Sequence, residues 1–551
     1  MAQITVSNLT FCYEGSYDNV FENVSFLIDT DWKLGFIGRN GKGKTTFLRL
    51  LQGKYEYRGS ISTSAAFDYF PYGITEEQEQ LPAAEFFGEL RPDFELWRVL
   101  RELEQLALEP ECLFRPFSTL SYGERTKIML ALLFSGENLF LLIDEPTNHL
   151  DSEARQVVRD YLKGKKGFIL VSHDRELLDA CIDHVLVLNR NSIRVEKGNF
   201  SSWWENKEKQ DNFNRAENEK HLREIGKLKE AADRTARWAE KNEKTKIGFD
   251  PIKEHDRFLD TRAYIGAKTK KLQSRVKNTE RRIEDEIAEK EGLLKDIENP
   301  VDLKLMPLDF HKEIYVLARD FSLCYQHEGK RDKTEGFTGL WNTFDTGETR
   351  RVIQNLRFEL HKGERIWLKG ANGCGKSSFI KALLEKAEYG VKGYETKDGT
   401  EGSNCSKVEE GAGERAIMQM DGILEIPKGL KISYVNQDTS FLRGSLSDYA
   451  REKGLDESLL KALLRQLDFE RVQFGKSMEE YSEGQKKKVL LAASLLTPAH
   501  LYIWDEPLNY IDIFSRIQLE NLILKYQPTM LLVEHDAVFG ERVATSIHKM
   551  P

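Results

Sequence analysis

Three short segments occur twice along this chain in the same order, and this internal repeat limits its possible folds more than any other feature. The copies are GRNGKGKT at 38–45 and GANGCGKS at 370–377, LIDEP at 142–146 and IWDEP at 503–507, and VSHD at 171–174 and VEHD at 533–536. Repeats in a fixed order are typical of a duplicated domain. We therefore predict one α/β domain over residues 1–205 and a second over 301–551, separated by residues 206–300; each domain is of ordinary size.

The two glycine-rich octets, called here the first loop (38–45) and the second loop (370–377), fit the pattern G-x-x-x-x-G-K-[S/T]. Each follows a strand-like run and precedes a helical pattern, which is the context that this pattern requires. Glycines let the backbone wrap a phosphate chain, so that N–H groups and a helix N-terminus face the anion. A glycine turn with a chance lysine is the alternative, and the second copy argues against it. The residues expected to bind nucleotide are Gly38, Asn40, Gly41, Gly43, Lys44, Thr45 and Thr46 in the first copy, and Gly370, Asn372, Gly373, Gly375, Lys376, Ser377 and Ser378 in the second.

The side chains expected to carry the chemistry lie in these loops and at the ends of buried strands. Lys44 and Lys376 would reach the β- and γ-phosphates. The apolar runs 139–143 and 501–504 are typical of parallel strands covered on both faces, and ligands bind at the carboxyl ends of such strands. The side chains expected to hold Mg²⁺ there are those of Thr45, Asp144, Ser377 and Asp505.

Glutamate and histidine follow in both halves. Glu145 and Glu506 come directly after the metal-binding aspartates, where each would polarise water for attack on the γ-phosphate. His173 and His535 each follow a strand-like run and would reach the γ-phosphate side. A lone histidine is more often structural, but its recurrence at the same place in both halves favours a functional one.

Two further segments, LSYGE at 120–124 and YSEGQ at 481–485, resemble the signature of the ATP-binding-cassette superfamily, usually Leu-Ser-Gly-Gly followed by Gln or Glu. Taken alone, each of these first and second signatures fits a capping box at the start of a helix. The resemblance implies more: each signature faces ATP held by the opposite cassette. The first composite site would combine Lys44, Asp144, Glu145 and His173 with Ser482 and Gly484. The second would combine Lys376, Gln437, Asp505, Glu506 and His535 with Ser121 and Gly123.

The resemblance assigns roles to a few other residues. Gln437 matches the family's Q-loop glutamine, which contacts nucleotide and metal. Tyr13 and Tyr325 lie where the family stacks an aromatic ring on adenine, although packing in a β-rich region is the alternative. Asp151 and Asp512 resemble the family's interface aspartates.

Two departures from the family pattern fall on the first composite site. Tyr72 stands at the Q-loop position of the first half, and Glu483 replaces the first glycine of the second signature. A carboxylate near a γ-phosphate is unfavourable unless it points away. We therefore expect slower hydrolysis at the first site. Tyr122 is the corresponding departure at the second site, and it is neutral.

The segment between the halves predicts a long α-helical hairpin. It has few glycines and a dense mix of charges, and apolar residues recur at spacings of 3, 4 and 7 on both sides of a break near 244–260, where Gly248 and Pro251 lie. Helices of about 40 residues would make an arm of roughly 60 Å.

The arm and its tip are the expected contacts with RNA. The second helix begins with a nearly one-sign basic stretch, whereas a merely solvated helix face normally alternates signs. The tip carries large apolar groups, which either pack on one another or approach rRNA bases and the tRNA end. The expected contact residues are Lys244, Lys246, Ile247, Phe249 and Phe258 at the tip, and Lys268, Lys270, Lys271 and Arg275 on the helix.

Two cassettes with such a linker resemble the F subfamily, whose members act on ribosomes. The linker text, including AENEK at 216–220, IGA at 265–267 and AEKEGLLKD at 288–296, is close to the Lsa-type antibiotic-resistance branch. That branch implies binding to the 70S ribosome at the exit site, beside the P-site tRNA. The linker tip would relieve inhibition by lincosamides, pleuromutilins and streptogramin A.

Composition narrows the alternatives. No apolar run approaches the ~18 residues of a membrane span, no signal peptide is visible, and the six cysteines are scattered without a Cys-x-x-Cys pair. We expect a cytosolic ATPase, monomeric with its two cassettes pairing within the chain, and with no membrane or DNA partner. A housekeeping translation factor of the same subfamily and, less favoured, the motor of a membrane transporter stay open as alternatives.

Overall fold

The computed structural model describes residues 3–13, 19–137, 139–148, 150–188, 193–244, 281–282, 304–327, 349–371, 373–389, 405–410, 414–467 and 469–550. The chain forms two compact units. One comprises Met1–Ser201 and Pro300–Pro551, and the other comprises Ser202–Asn299.

The first cassette alternates strands and helices. Its strands are β1 (Gln3–Phe11), β2 (Phe21–Asp29), β3 (Lys33–Ile37), β4 (Arg58–Ser62), β5 (Ala66–Phe70), β6 (Leu139–Asp144), β7 (Phe168–Val171), β8 (His184–Leu188) and β9 (Ile193–Lys197). Its helices are α1 (Lys44–Leu51), α2 (Glu76–Glu79), α3 (Ala83–Leu90), α4 (Leu96–Gln105), α5 (Tyr122–Phe134), α6 (Ser152–Lys163) and α7 (Arg175–Cys181).

The second cassette repeats this order. Its strands are β10 (Ile314–His327), β11 (Thr349–His361), β12 (Arg365–Lys369), β13 (Cys405–Glu410), β14 (Glu414–Glu425), β15 (Ile432–Val435), β16 (Leu501–Asp505), β17 (Met530–Val533) and β18 (Ser546–Lys549). Its helices are α9 (Lys376–Tyr389), α10 (Leu446–Glu452), α11 (Glu457–Gln466), α12 (Glu483–Leu496), α13 (Ile513–Tyr526) and α14 (Ala537–Val543).

Each cassette has a parallel sheet that places the site residues at one edge. The strand orders are β5-β6-β7-β3-β8-β9 and β15-β16-β17-β12-β18, and all neighbours pair in parallel except β8 and β9. Every residue of β7 is buried, as expected for a strand covered on both faces. The predicted parallel strands and the glycine-loop helices are confirmed in both halves.

A smaller antiparallel sheet accompanies each parallel one, with strand orders β2-β1-β4 and β11-β10-β14-β13. The polar, glycine-rich stretch 389–427 suggests a surface loop, and this interpretation is wrong for its later part. Residues 405–425 contribute β13 and β14, and β14 pairs with β10 over most of its length. Met418 and Leu424 turn inward and are buried in the core of the second cassette, which anchors this polar strand.

The smaller unit begins with one helix, α8 (Phe200–Lys244), of 45 residues. It contains no proline and one glycine, Gly226. This helix covers the first part of the segment for which a hairpin is predicted; apart from residues 281–282, the tip and the second helix lie outside the described residues. None of the helices in the described ranges combines the length and apolar character that a bilayer crossing demands.

Candidate nucleotide-binding sites

The first and second loops each connect a parallel strand to the N-terminus of a helix. Gly43 and Gly375 immediately precede those helices in the left-handed backbone region, with φ of 105° and 94°. A Cβ added at Gly43 would lie 2.6 Å from Val20 Cγ1, and one at Gly375 would lie 2.8 Å from Val352 Cγ1. Glycine is therefore required at both positions by backbone conformation and by space.

Each loop lysine folds back over its own loop. Lys44 Nζ donates to Gly38 O at 2.6 Å and to Asn40 Oδ1 at 3.2 Å, and Lys376 Nζ donates to Gly370 O and Ala371 O, both at 2.8 Å. Burial lowers the pKa of Lys44. The two ammonium groups are thus held where a loop-bound phosphate would meet them.

The predicted metal ligands meet at the strand ends. Thr45 Oγ1 donates to Asp144 Oδ2 at 2.8 Å, which joins the first loop to β6, and burial raises the pKa of Asp144. Both carboxylate oxygens of Asp505 are buried without a hydrogen bond of standard geometry, and burial raises its pKa to about 6. A buried carboxylate in this state fits a site for a cation.

The described residues contain no group of three or more His, Cys, Asp or Glu that could hold a metal by themselves. A single aspartate and a hydroxyl in each cassette agree with Mg²⁺, which is usually bound by one or two carboxylates together with substrate phosphates.

The catalytic candidates lie next to one another in both cassettes. His173 Nε2 is 3.3 Å from Glu145 Oε1, and His535 Nε2 is 3.3 Å from Glu506 Oε1. The two glutamates adopt left-handed backbone, with φ of 51° and 47°, and the glutamate N–H donates to Val171 O in the first cassette. Such a conformation is unusual for a residue with a side chain, and its occurrence at the same place in both halves is typical of a functional site.

The two glutamates differ in their surroundings. Burial and the neighbouring Asp144 raise the pKa of Glu145 to about 8. Burial alone would raise the pKa of Glu506. The hydrogen bonds and charge contributed by His535 and Asn509 outweigh burial, so the pKa of Glu506 is lowered. Gln437 Nε2 donates to Glu506 Oε2 at 2.8 Å, as does Asn509 Nδ2. The carboxylate of Glu506 is therefore the better prepared of the two to be ionised at neutral pH.

Tyr72, at the Q-loop position of the first cassette, turns away from its site. Its hydroxyl donates to Asp68 Oδ2 at 2.7 Å, and Arg91 pairs with the same oxygen at 2.8 Å. Tyr69 instead donates to Asp144 Oδ2 at 3.1 Å. The sequence did not predict this contact, because it does not show which side chains of β5 point toward the nucleotide site.

Glu483 is bound by side chains of its own cassette. Its carboxylate accepts a hydrogen bond from Thr439 and pairs with Lys486 at 3.1 Å, and the Thr439 hydrogen bond contributes most to lowering its pKa. The charge expected to disturb the first site is thus neutralised inside its own cassette.

Both predicted capping boxes are confirmed. Ser121 and Glu124 cap α5 reciprocally, and Ser482 and Gln485 do the same for α12. The helix N-termini that the signatures provide are therefore well defined, with their first N–H groups partly satisfied by side chains.

The second cassette contacts the first loop directly. Asn40 Nδ2 donates to Tyr510 O at 2.7 Å, and a Cβ added at Gly484 would lie 3.1 Å from Tyr510 Cβ. Tyr510 thus lies between the second signature and the first loop. The Arg39 guanidinium also lies over the ring of Phe514, 5.8 Å from its centroid.

Three charged residues of the second cassette act on the first site. Burial lowers the pKa of His173 well below its usual value, and Lys44 and Arg516 lower it further. Across the interface, the charge of Asp512 opposes the effect of burial on the pKa of Lys44, whereas that of Lys488 adds to it. Arg516 and Lys488 were missed in the sequence, although Arg155 and Arg516 each stand four residues after an interface aspartate.

The remaining predicted residues are the adenine-stacking tyrosines, the first signature, and the residues of the arm and tip. Tyr13 is 44% exposed and its hydroxyl lies 2.5 Å from Thr46 Oγ1, whereas Tyr325 is buried in the core, which favours packing there. Ser121 and Gly123 make no hydrogen bond to the second loop within the described residues. Asn372 and eight of the nine arm and tip residues lie outside them, and Lys244 ends α8.

Two phosphate-binding loops, two capped signature helices and direct contacts between the halves define a protein with paired nucleotide-binding cassettes. The chain belongs to the ATP-binding-cassette family: the family model described as ABC transporter matches residues 21–148 and 353–509, more than half of the chain. Its domains are thus ATP-binding domains.

Similar proteins span nearly the whole chain. The ribosome protection protein VmlR of Bacillus subtilis is 27% identical over 98% of this chain and 86% of its own length. The erythromycin resistance ATP-binding protein MsrA of Staphylococcus epidermidis is 26% identical over 93% and 90%. An F family member of Arabidopsis thaliana is 23% identical over 99% and 74%. The resemblance to the F subfamily, close to its resistance proteins, is confirmed.

A solved complex of an archaeal ribosomal stalk protein with an archaeal ribosome recycling factor has a similar fold. The TM-score is 0.54 at 17% identity, and the match covers 98% of this chain and 87% of the matched chain in that complex. This comparison supports the tandem arrangement of the two cassettes.

Proposed function

We propose that this chain hydrolyses ATP to ADP and phosphate. The observation that carries this proposal is the pairing of Glu145 with His173 and of Glu506 with His535 at the strand ends beside the loops. Phosphoryl transfer depends mostly on positioning and charge neutralisation. A glutamate that orients the attacking water and a histidine that holds the glutamate in place are therefore sufficient.

Mg²⁺ would be held by Thr45 and Asp144 in the first site, and by Ser377, Asp505 and Gln437 in the second. When bound, it neutralises phosphate charge. The chain's own residues contribute the orientation: the loop lysines face the phosphates, Gln437 orients Glu506, and the signature helices close each site from the opposite cassette.

The partner proposed for this ATPase is the 70S ribosome, with rRNA and the P-site tRNA as the contacted RNAs. Relatives named for ribosome protection and for erythromycin resistance support it, together with α8, the continuous 45-residue helix with which the smaller unit begins. The domain bounds 1–205, 206–300 and 301–551 are part of this proposal. So are a cytoplasmic location and protection against lincosamides, pleuromutilins and streptogramin A.

One experiment separates this function from its alternatives. The Glu145→Gln/Glu506→Gln variant, loaded with ATP, should co-sediment with 70S ribosomes, while the same variant carrying Lys44→Ala and Lys376→Ala should not. Absence of ATP-dependent co-sedimentation would favour a transporter motor. Drug susceptibility of cells expressing the active protein then distinguishes protection from a housekeeping role, which predicts unchanged inhibitory concentrations.

A further inference from the structure

Lys487 is a buried lysine on α12, the helix that begins at the second signature. The residue is 3% exposed. Its Nζ donates to the backbone carbonyl of Asn436 at 2.9 Å and to that of Glu506 at 3.3 Å. A buried ammonium is costly unless its protons are accepted, so these carbonyls and the ammonium hold one another in place.

Both carbonyls belong to the catalytic segments of the second site. Asn436 immediately precedes Gln437, whose amide orients the Glu506 carboxylate. Glu506 itself lies in the left-handed backbone region, and its N–H donates to Val533 O at 2.9 Å. Lys487 therefore joins the two segments that place the catalytic glutamate and the glutamine beside it.

The start of the same helix serves the first site. Ser482 caps α12, and Gly484 lies against Tyr510, whose carbonyl accepts the amide of Asn40 in the first loop. One helix thus connects a contact at the first site to the catalytic backbone of the second within about one turn.

No equivalent connection is seen in the described part of the first cassette. Lys487 stands five residues after Ser482, and the residue five after Ser121 is Thr126. Threonine is too short and carries no charge to bridge two backbone segments in the same way. The link therefore joins the signature contact of the first site to the catalytic backbone of the second, and the reverse pair of segments has no lysine at this position.

We propose that Lys487 is a positioning residue that couples the two ATP sites: nucleotide engagement at the first site, acting on α12, sets the backbone of Gln437 and Glu506 at the second. This inference rests on the proposed ATP hydrolysis and adds the direction in which the sites communicate.

The test is a double-mutant cycle in the full-length protein carrying Glu145→Gln, so that phosphate release reports the second site. The changes are Ser482→Ala, which weakens the first site's signature, and Lys487→Met, which removes the ammonium at similar volume. We expect each alone to lower kcat about fivefold or more, with the KM for ATP within about twofold, and the double variant to be no slower than the slower single one.

Companion variants distinguish coupling from damage to the fold. Lys487→Thr, the residue of the first cassette, should behave like Lys487→Met, and Lys487→Arg should restore part of kcat because it can again donate to both carbonyls. Lys461→Met, which removes a lysine on α11 that pairs with Glu457, is the control and should match the parent.

Each outcome bears on the idea. Multiplicative losses in the double variant, or a kcat of Lys487→Met equal to that of the parent, would overturn the coupling alone. If Lys487→Met does not fold, the same cycle run with Lys487→Thr decides. No phosphate release by the wild-type protein would overturn the proposed hydrolysis and this inference with it.

Discussion

Arg175 of the first cassette and Glu520 of the second form a buried ion pair, in which Arg175 Nη1 lies 3.3 Å from Glu520 Oε2 and the glutamate is fully buried. Arg542 donates to the same oxygen at 3.1 Å. The positions equivalent to Arg175 and Glu520 are occupied by Ala537 and Arg159 in the opposite cassettes. Arg159 cannot accept a hydrogen bond from a cation and Ala537 cannot donate one, so these two positions cannot form a second ion pair of this kind. The Arg175–Glu520 pair therefore makes the interface between the cassettes asymmetric.

Replacing Arg175 should make closure of the cassettes more difficult. Removing one partner of a buried pair costs ~3–5 kcal/mol, but Glu520 keeps Arg542, so we expect a smaller loss. For Arg175→Ala, ATP-driven closure followed by energy transfer between a dye on each cassette should need about tenfold more ATP, or ~1.4 kcal/mol. Arg159→Ala, which removes an arginine paired with Glu176 within one cassette, is the control. An unchanged ATP midpoint for Arg175→Ala would show that the bridge does not contribute to closure.

The two catalytic glutamates should contribute unequally. Glu506 has a lowered pKa, whereas burial and Asp144 raise that of Glu145 to about 8, so Glu506 is the carboxylate better able to polarise water at neutral pH. Glu506→Gln should therefore reduce phosphate release more than Glu145→Gln. The double variant should bind ATP normally and lose turnover by about 10²-fold or more. Near-normal phosphate release by the double variant would exclude both residues from catalysis.

The basic stretch of the second linker helix is predicted to contact RNA phosphates. Neutralising Lys268, Lys270, Lys271 and Arg275 together should weaken ribosome binding and flatten its dependence on salt. Each lost phosphate contact should remove roughly 0.7–0.9 from the log–log slope, because fewer counterions are released. The measurement is ribosome affinity over a series of salt concentrations. A slope equal to that of the wild type would mean that the helix face is only solvated.

Alanine at positions 246–249 should separate the linker tip from the ATPase. We expect drug resistance to fall while ATP hydrolysis and ribosome binding persist, since helices of the predicted length would place the tip roughly 60 Å from the base of the arm. ATP hydrolysis and ribosome binding are measured on the purified variant, and resistance is measured in cells that express it. Loss of all three would assign these residues to packing of the hairpin, and full resistance would place the effector elsewhere.

The sequence predicted elements whose signals are local. Strand β6 is a wholly apolar run ended by Asp144, and the signatures start helices through side chains three residues apart, so their positions required no tertiary information. The hairpin β13–β14 was missed because its sequence carries many charged and polar residues and no clear alternation of apolar ones. Strand β14 is fixed by pairing with β10, which lies about 100 residues earlier in the chain.

The contacts that distinguish the two sites could not be predicted in the same way. Glu483 accepts a hydrogen bond from Thr439 and pairs with Lys486, and the Tyr72 hydroxyl donates to Asp68. Nothing in the spacing of these residues indicates the direction of either side chain. Lys487 looks like one of three consecutive surface lysines at 486–488 until the helix is seen to bury it. Comparison of the two halves would have singled it out, since Thr126 stands in its place.

Helix α8 has a mechanical consequence. At ~1.5 Å per residue, its 45 residues make a rod of roughly 68 Å, and no proline interrupts it. A rotation of one degree about the end at Phe200 displaces the end at Lys244 by about 1.2 Å by the same helix geometry. Angular changes of only a few degrees at its base therefore become movements as wide as a side chain at its far end. A small rotation at Phe200 is therefore enough to move the Lys244 end by several ångströms.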